Sequence, residues 1–178
     1  MNSLISLHNT VVGRVFGAGD SDWLITTIAR FVFAAVLLRF FWASALTKLD
    51  GIFSPSIGAY AQIFPKKFEA VGYDPSQMSF LDTLIVIAGT YGEFILPFLV
   101  VVGLLTRLSS LGMIGFVIVM SIVDITGHNA DASTIGMWFD RHSGSLILDQ
   151  RLFWVMLLVT LILKGGGPIS VDRLLRIK

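Results

Sequence analysis

The stretch Leu81-Asp82-Thr83-Leu84-Ile85-Val86-Ile87-Ala88-Gly89-Thr90-Tyr91-Gly92-Glu93-Phe94-Ile95-Leu96-Pro97-Phe98-Leu99-Val100, continuing to Leu105, decides the fold. It is mostly apolar and long enough to cross a bilayer, which takes about 20 residues of helix. Glu93 falls near its middle. A carboxylate there costs about 2.5 kcal/mol or more on insertion scales, so it is expected to face protein or water rather than lipid. Pro97, one turn later, supplies no N–H to the Glu93 carbonyl. A single turn therefore carries an acid, a freed backbone acceptor and an expected kink. Gly89 and Gly92 are expected to let another helix approach closely.

The rest of the chain agrees with a membrane setting. It has 178 residues, of which 14% are charged, against about 25% in soluble domains. The mean hydropathy is +0.80. A net charge of +1 leaves no basic footprint for nucleic acid. The absence of cysteine excludes cysteine-ligated iron–sulfur clusters, covalent c-type haem and thiolate copper within this chain. His8, His128 and His142 lie outside the apolar runs, so a pair of haem ligands at mid-membrane is not expected. Residues 1–22 read as a polar or interfacial leader. Ala43-Ser44-Ala45 imitates a signal cleavage site, but the apolar run before it is too long for such a signal and contains Arg30 and Arg39.

Four spans are expected, at about residues 23–47, 80–105, 108–125 and 146–164, within a single integral-membrane domain, 1–178. The fold class is all-α: a membrane four-helix bundle with a long interfacial loop after the first span. That loop, 48–79, interleaves Phe53, Tyr60, Phe64, Phe68 and Tyr73 with Lys66 and Lys67 and is broken by Pro55, Pro65 and Pro75, which suits the headgroup layer. Ser79-Phe80-Leu81-Asp82 matches a capping box and opens span two. Gly103-Leu104-Leu105-Thr106-Arg107 is a turn short enough to make spans two and three antiparallel neighbours. Leu152 to Leu163 alone gives about 18 Å of helix, too short to cross. Span four must therefore start near Leu146 and take Asp149, Gln150 and Arg151 into the boundary. Four crossings put both termini on one side. The bias of Lys and Arg favours the cytoplasm for it.

Two groups of polar residues stand out. The intramembrane group is Glu93, Arg39, Arg30 and Pro97. On a regular helix Arg30 and Lys48 share a face and Arg39 points the other way. Arg39 is the deeper arginine and is expected to meet Glu93, with Trp42 stacked on it. Arg30 is expected to snorkel to water. A carboxylate accepting from a quinol hydroxyl, with an arginine on the quinone oxygen, is the functional reading of the pair. A structural ion pair fixing helix packing is the plainer one. The second group is an outer polar rim of Lys48, Asp124, His128, Asp149 and Arg151. Asp124 and His128, one turn apart, are weak metal candidates; no metal site is assigned, because three ligands at defined geometry are not visible. A solvated rim is the plainer reading. No catalytic residue is assigned, since no nucleophile series, phosphate loop or zinc spacing is present.

In order and spacing these pieces resemble the DoxX family of small four-span membrane proteins. The resemblance covers about Ala29 to Leu175. It is carried by Arg30, Arg39 and Thr47-Lys48; by Glu93-Phe94-Ile95-Leu96-Pro97 and Gly103-Leu104-Leu105-Thr106-Arg107; by Asp149-Gln150-Arg151-Leu152-Phe153-Trp154; and by Lys164-Gly165-Gly166-Gly167-Pro168-Ile169-Ser170-Val171-Asp172. The family usually has glycine near Ala45 and Gly-Pro-Gly where this chain has Gly165-Gly166-Gly167. The resemblance implies a multi-pass protein of the bacterial inner membrane. It also implies a subunit or accessory of a quinone-linked oxidoreductase of the thiosulfate:quinone or quinol oxidase type, rather than a self-sufficient enzyme. No covalent cofactor is expected, and quinone is the expected ligand. The expected partners are the lipid bilayer and other membrane or periplasmic redox subunits, with a homo-oligomer a further expectation and nucleic acid excluded. The alternative is a non-catalytic membrane partner or assembly factor for a secreted or metal-handling protein.

Overall fold

The computed structural model describes Ile5, Ser6, Thr10 and residues 21–177. The expected leader and His8 therefore lie almost wholly outside the described residues. Four helices are long and apolar enough to cross a membrane: Asp22–Leu46, Phe80–Val102, Thr106–Gly127 and Leu146–Lys164. Span one joins α1 (Ser21–Phe33) to α2 (Arg39–Leu46) through a π turn at Ala34–Leu38. After it come the strands β1 (Leu49–Gly51) and β2 (Ser54–Pro55), then α3 (Ile57–Ile63) and α4 (Pro65–Ala70). Span two is α5 (Phe80–Val102). Span three is α6 (Thr106–Ile122) with a π turn at Val123–Gly127, followed by the short α7 (Ala132–Ile135). Span four opens with a π turn at Leu146–Gln150 and continues as α8 (Arg151–Lys164), and α9 (Val171–Leu175) closes the chain.

Each span packs on its neighbours in sequence and span four returns to span one, so the four form a closed ring. Their shared interior holds Phe33, Leu37, Phe41, Val100, Met113, Val117, Trp154, Leu158 and Leu161. Phe41 sits edge-on to Phe40 and Phe116, 5.1 and 6.0 Å between centroids, and Trp154 completes the cluster. The outer surface is aliphatic and aromatic, with Phe31, Val36, Leu46, Ile118, Phe153 and Leu163 exposed. That arrangement suits lipid, which is as apolar as leucine and provides no force to hide these side chains.

Span one shows why regular counting fails. Its buried apolar residues are Ala29, Phe33, Leu37, Phe41 and Ala45, four apart throughout. On a 3.6-residue helix that spacing drifts about 40° per step. The π turn takes up one extra residue and holds the stripe on a single face.

The segment after span one is not a loop. The strand pair, α3 and α4 form a folded cap with its own small core of Ala59, Tyr60, Phe68 and Met78, packed on Val86 of span two. The Tyr60 hydroxyl lies 3.0 Å from Thr83 Oγ1, and Lys67 Nζ donates to both Asp82 oxygens at 2.6 and 2.7 Å. Aromatic spacing that suggested a headgroup-layer anchor thus divides between a buried core and an exposed side: Phe53 and Tyr73 stay exposed, Tyr60 and Phe68 do not. Ser79 and Asp82 form the reciprocal capping box expected at the start of span two.

At the opposite end, span two stops in Gly103, whose φ of 70° lies in the left-handed region. A side chain there would also strike Ser170 and the Arg30 guanidinium. Asp172 Oδ1 accepts from the Leu105 amide at 2.6 Å, and Oδ2 accepts from the Thr106 amide and hydroxyl at 2.8 and 2.6 Å. The carboxylate thus caps α6 from a distant part of the chain. Lys164 pairs with Asp22 at 3.0 Å, so the start of span one and the end of span four share this end of the bundle.

Candidate functional site

Between the cap and the bundle lies a cavity of about 360 Å³. That is within the usual range for small-molecule sites. Two ion pairs stand on its wall. On one side Lys48 Nζ bridges both Glu93 oxygens at 3.0 and 2.9 Å, and also donates to Ser44 Oγ at 2.6 Å. On the other, Arg151 donates from one terminal nitrogen to Asp124 Oδ2 at 2.5 Å and from the other to Ser121 Oγ at 2.8 Å. Lys48, Glu93 and Arg151 are 4%, 6% and 4% exposed, so these charges are held away from bulk water. Apolar residues supply most of the rest: Phe40 and Phe116, Ile63 of the cap, Ile85 of span two, Val119 and Met120 of span three, beside Gln62 and His128. Ile85 and Val119 are also exposed on the bundle surface, so the cavity borders the lipid-facing side between spans two and three.

The local sequence explains how each group arrives. On span two the buried positions are Asp82, Val86, Thr90, Glu93, Pro97 and Val100, one face of a helix, with Glu93 aimed inward. A Cβ added at Gly89 or Gly92, on the adjoining faces, would lie 3.6 Å from Ile63 of the cap or 3.8 Å from Phe116 of span three. The π turn at Leu146–Gln150 sets Arg151 in line with buried Trp154, Leu158 and Leu161. Span one ends at Leu46, and Lys48 lies just beyond, its side chain folded back over Ser44.

Two capacities of this wall are unfilled among the described residues. Arg151 Nε is buried and has no acceptor. Glu93 accepts only from Lys48, whereas a carboxylate has about four acceptor positions. Two of the residues that line the cavity thus keep hydrogen-bonding capacity in reserve, Arg151 as a donor and Glu93 as an acceptor.

The expected residues are partly regrouped. Glu93 does meet a cation, but it is Lys48, taken from the outer rim; Arg39 is exposed on the outside of span one. The reason is the phase of that helix: Arg39 stands midway between buried Leu37 and Phe41, about 200° from each. Trp42 does not stack on Arg39. Its ring lies 6.4 Å from those of Phe94 and Phe98, and its indole N–H donates to the Phe94 carbonyl at 3.1 Å, one residue past the acceptor freed by Pro97. Arg30 does not snorkel. It lies against backbone carbonyls, donating to Val100 at 3.3 Å, Gly166 at 3.0 Å, and to Val101 and Ile169. The rim also divides. Asp124 and Arg151 join Lys48 at the cavity, and His128 reaches it while its Nε2 lies 3.0 Å from the Gln62 carbonyl. Asp149 turns away to accept from the Ser145 amide. With Asp124 on Arg151 and His128 on Gln62, no three metal-ligating side chains gather among the described residues. Further along, Asp131 caps α7. Hydrogen bonds from the Ser133 hydroxyl and the Thr134 amide hold its carboxyl below the usual carboxylate range.

Ser44 and Ser121 were not singled out from sequence. Small hydroxyls within apolar helices are common and usually satisfy their own backbone, so nothing marked these two as partners of cations. Asp172 went unremarked as a cap because its partners lie on another helix.

A four-span bundle with a charged, partly apolar cavity under a folded outer cap defines a class of small integral-membrane proteins. The DoxX family model matches residues 25–126, and the chain belongs to the DoxX family. The matched residues contain Lys48, Glu93 and Asp124, while Arg151 and the Asp172 clamp lie beyond them. Comparison with curated proteins and with solved structures returns no match.

Proposed function

We propose that the cavity takes the headgroup of a membrane quinone or quinol, and that the chain serves as a subunit or accessory of a quinone-linked oxidoreductase in the bacterial inner membrane, with both termini in the cytoplasm. The observation that carries this reading is that Arg151, whose Nε has no acceptor among the described residues, and Glu93, whose carboxylate has acceptor positions to spare, line one partly apolar cavity. A quinone oxygen accepts a hydrogen bond, and a quinol hydroxyl donates one. Arg151 suits the first and Glu93 the second. Phe40 and Phe116 provide ring faces. The border of the cavity on the lipid side gives an isoprenoid tail somewhere to lie. When a quinol gives up two protons and two electrons, Glu93 is placed to accept the first proton, and the second leaves to water. The electrons leave to a redox centre on a partner subunit.

The test is binding of a short-chain quinone to the full-length protein in lipid nanodiscs, read by quenching of tryptophan fluorescence. Saturable binding is expected. Gly89→Leu would push a side chain into the cavity while leaving both ion pairs in place, and should weaken binding by about tenfold or more, the scale of losing well-packed headgroup contacts. Equal binding by this variant and the native chain would refute the reading.

A second reading, a membrane partner for a secreted or metal-handling protein, has one observation in its favour. Met137, Trp138 and Phe139 are exposed together in the outer turn between α7 and span four. On that reading, substitutions in this turn abolish function and Gly89→Leu leaves it intact.

A further inference from the structure

Span one carries a cation that no described residue of the chain pairs with. Arg39 is exposed on the outer side of the bundle. Among the described residues the ion pairs are those of Lys48, Lys67, Arg151 and Lys164, and none involves Arg39. The nearby Trp42 ring is turned to Phe94 and Phe98. From Arg39 to the end of the helix at Leu46 is about 10 Å of rise. The Cα–Cβ bond of a helical residue does not tilt that way. Side chains on a helix tilt toward its N-terminus, which for span one points back into the bilayer. Arginine on a lipid-facing surface is costly and ordinarily finds a counter-charge.

Within the four spans every described acid already has a partner in its own chain, so a second copy would have to give one up. Asp22, Asp82, Glu93 and Asp124 are paired with Lys164, Lys67, Lys48 and Arg151. Asp149 accepts from a backbone amide at the start of span four. Ala35 and Ala43, four residues to either side of Arg39, are exposed as well, so a neighbouring backbone can come close on this face.

We propose that Arg39 anchors an intramembrane interface with a spanning helix of a different protein, and that this helix presents an aspartate or glutamate to it. The interface lies on the outside of span one and does not depend on what occupies the cavity. The partner's acid replaces the pairing that Glu93, already held by Lys48, does not supply.

The experiment uses the full-length chain in its native membranes, with a photoreactive benzoylphenylalanine at Ala43. The expected adduct joins this position to a spanning segment of another protein, and that segment contains an acidic residue. Arg39→Glu should cut the adduct by about tenfold or more, and Arg39→Lys should largely keep it, as for a desolvated charge pair. Combining Arg39→Glu with a basic residue in place of the partner's acid should restore it. In nanodiscs containing the isolated chain, Arg39→Leu should raise Tm, because an unpaired charge is removed from a lipid-facing surface; this also shows that the fold survives. No adduct, adducts only with lipid or a second copy, a captured segment without an acid, or an adduct indifferent to Arg39→Glu would each overturn the proposal.

Discussion

The two ends of the bundle hold their buried charges in different ways. At the end where span one begins and span four finishes, the charges rest on backbone: Arg30 donates to carbonyls of Val100, Val101, Gly166 and Ile169, and Asp172 accepts from the amides of Leu105 and Thr106. At the cap end, charges rest on other side chains, Lys48 on Glu93 and Arg151 on Asp124, around an open volume. Backbone groups at helix ends cannot be removed or moved without unfolding the turn, and they must be satisfied somewhere. A charge on them is fixed in one role. Side-chain pairs around a cavity can exchange partners with a ligand at small structural cost. The first arrangement locks the fold, and the second suits chemistry. That contrast places the candidate site at the cap end.

Breaking one partner at the cap end gives the largest expected effect. Glu93→Leu leaves Lys48 buried without its counter-charge, which costs about 3–5 kcal/mol. Adding Lys48→Met should recover most of that loss, since a well-packed apolar pair can replace a buried ion pair. The thermal midpoint in mild detergent measures both. At the other end no such rescue is expected: Asp172→Leu should remain destabilised when Arg30→Met is added, because the orphaned Leu105 and Thr106 amides stay orphaned. Rescue there would erase the distinction.

The milder Asp172→Asn keeps the shape and removes the charge. It should cost about 1.5–3 kcal/mol, the scale of hydrogen bonds to a charged group. A smaller change is expected from Arg151→Lys, which keeps a cation beside Asp124 but loses the fork and the Nε donor. It should lower stability by about 1 kcal/mol, a typical hydrogen bond. Its larger effect should be on short-chain quinone affinity, so an unchanged affinity would move the quinone oxygen away from Arg151. The smallest effect belongs to Lys164→Ala. Its pair with Asp22 is exposed at the end of the bundle, and such pairs contribute under about 1 kcal/mol. A loss much beyond that would mean the terminal clamp depends on it.

Hydropathy alone established the membrane class, the number of crossings and the all-α architecture, because about 20 apolar residues in sequence have few other uses. The buried Glu93 was equally legible: a carboxylate in such a run must turn inward. So was the capping box of Ser79 and Asp82, which is built from neighbours along the chain. The choice between Arg39 and Lys48 was not legible from regular counting. It depends on a π turn that shifts the phase of span one by a residue, and on a lysine beyond the helix end folding back over Ser44. A repeated four-residue spacing of apolar residues, with Arg39 midway between Leu37 and Phe41, was the one signal that pointed outward. The folded cap, the cavity beneath it and the unpartnered Arg151 Nε required the tertiary structure, since each arises from elements far apart in sequence meeting in space. Transfer of side chains from water is a property of composition and survives any rearrangement. Which charge meets which is a matter of a few ångströms, and only the packed helices set that distance.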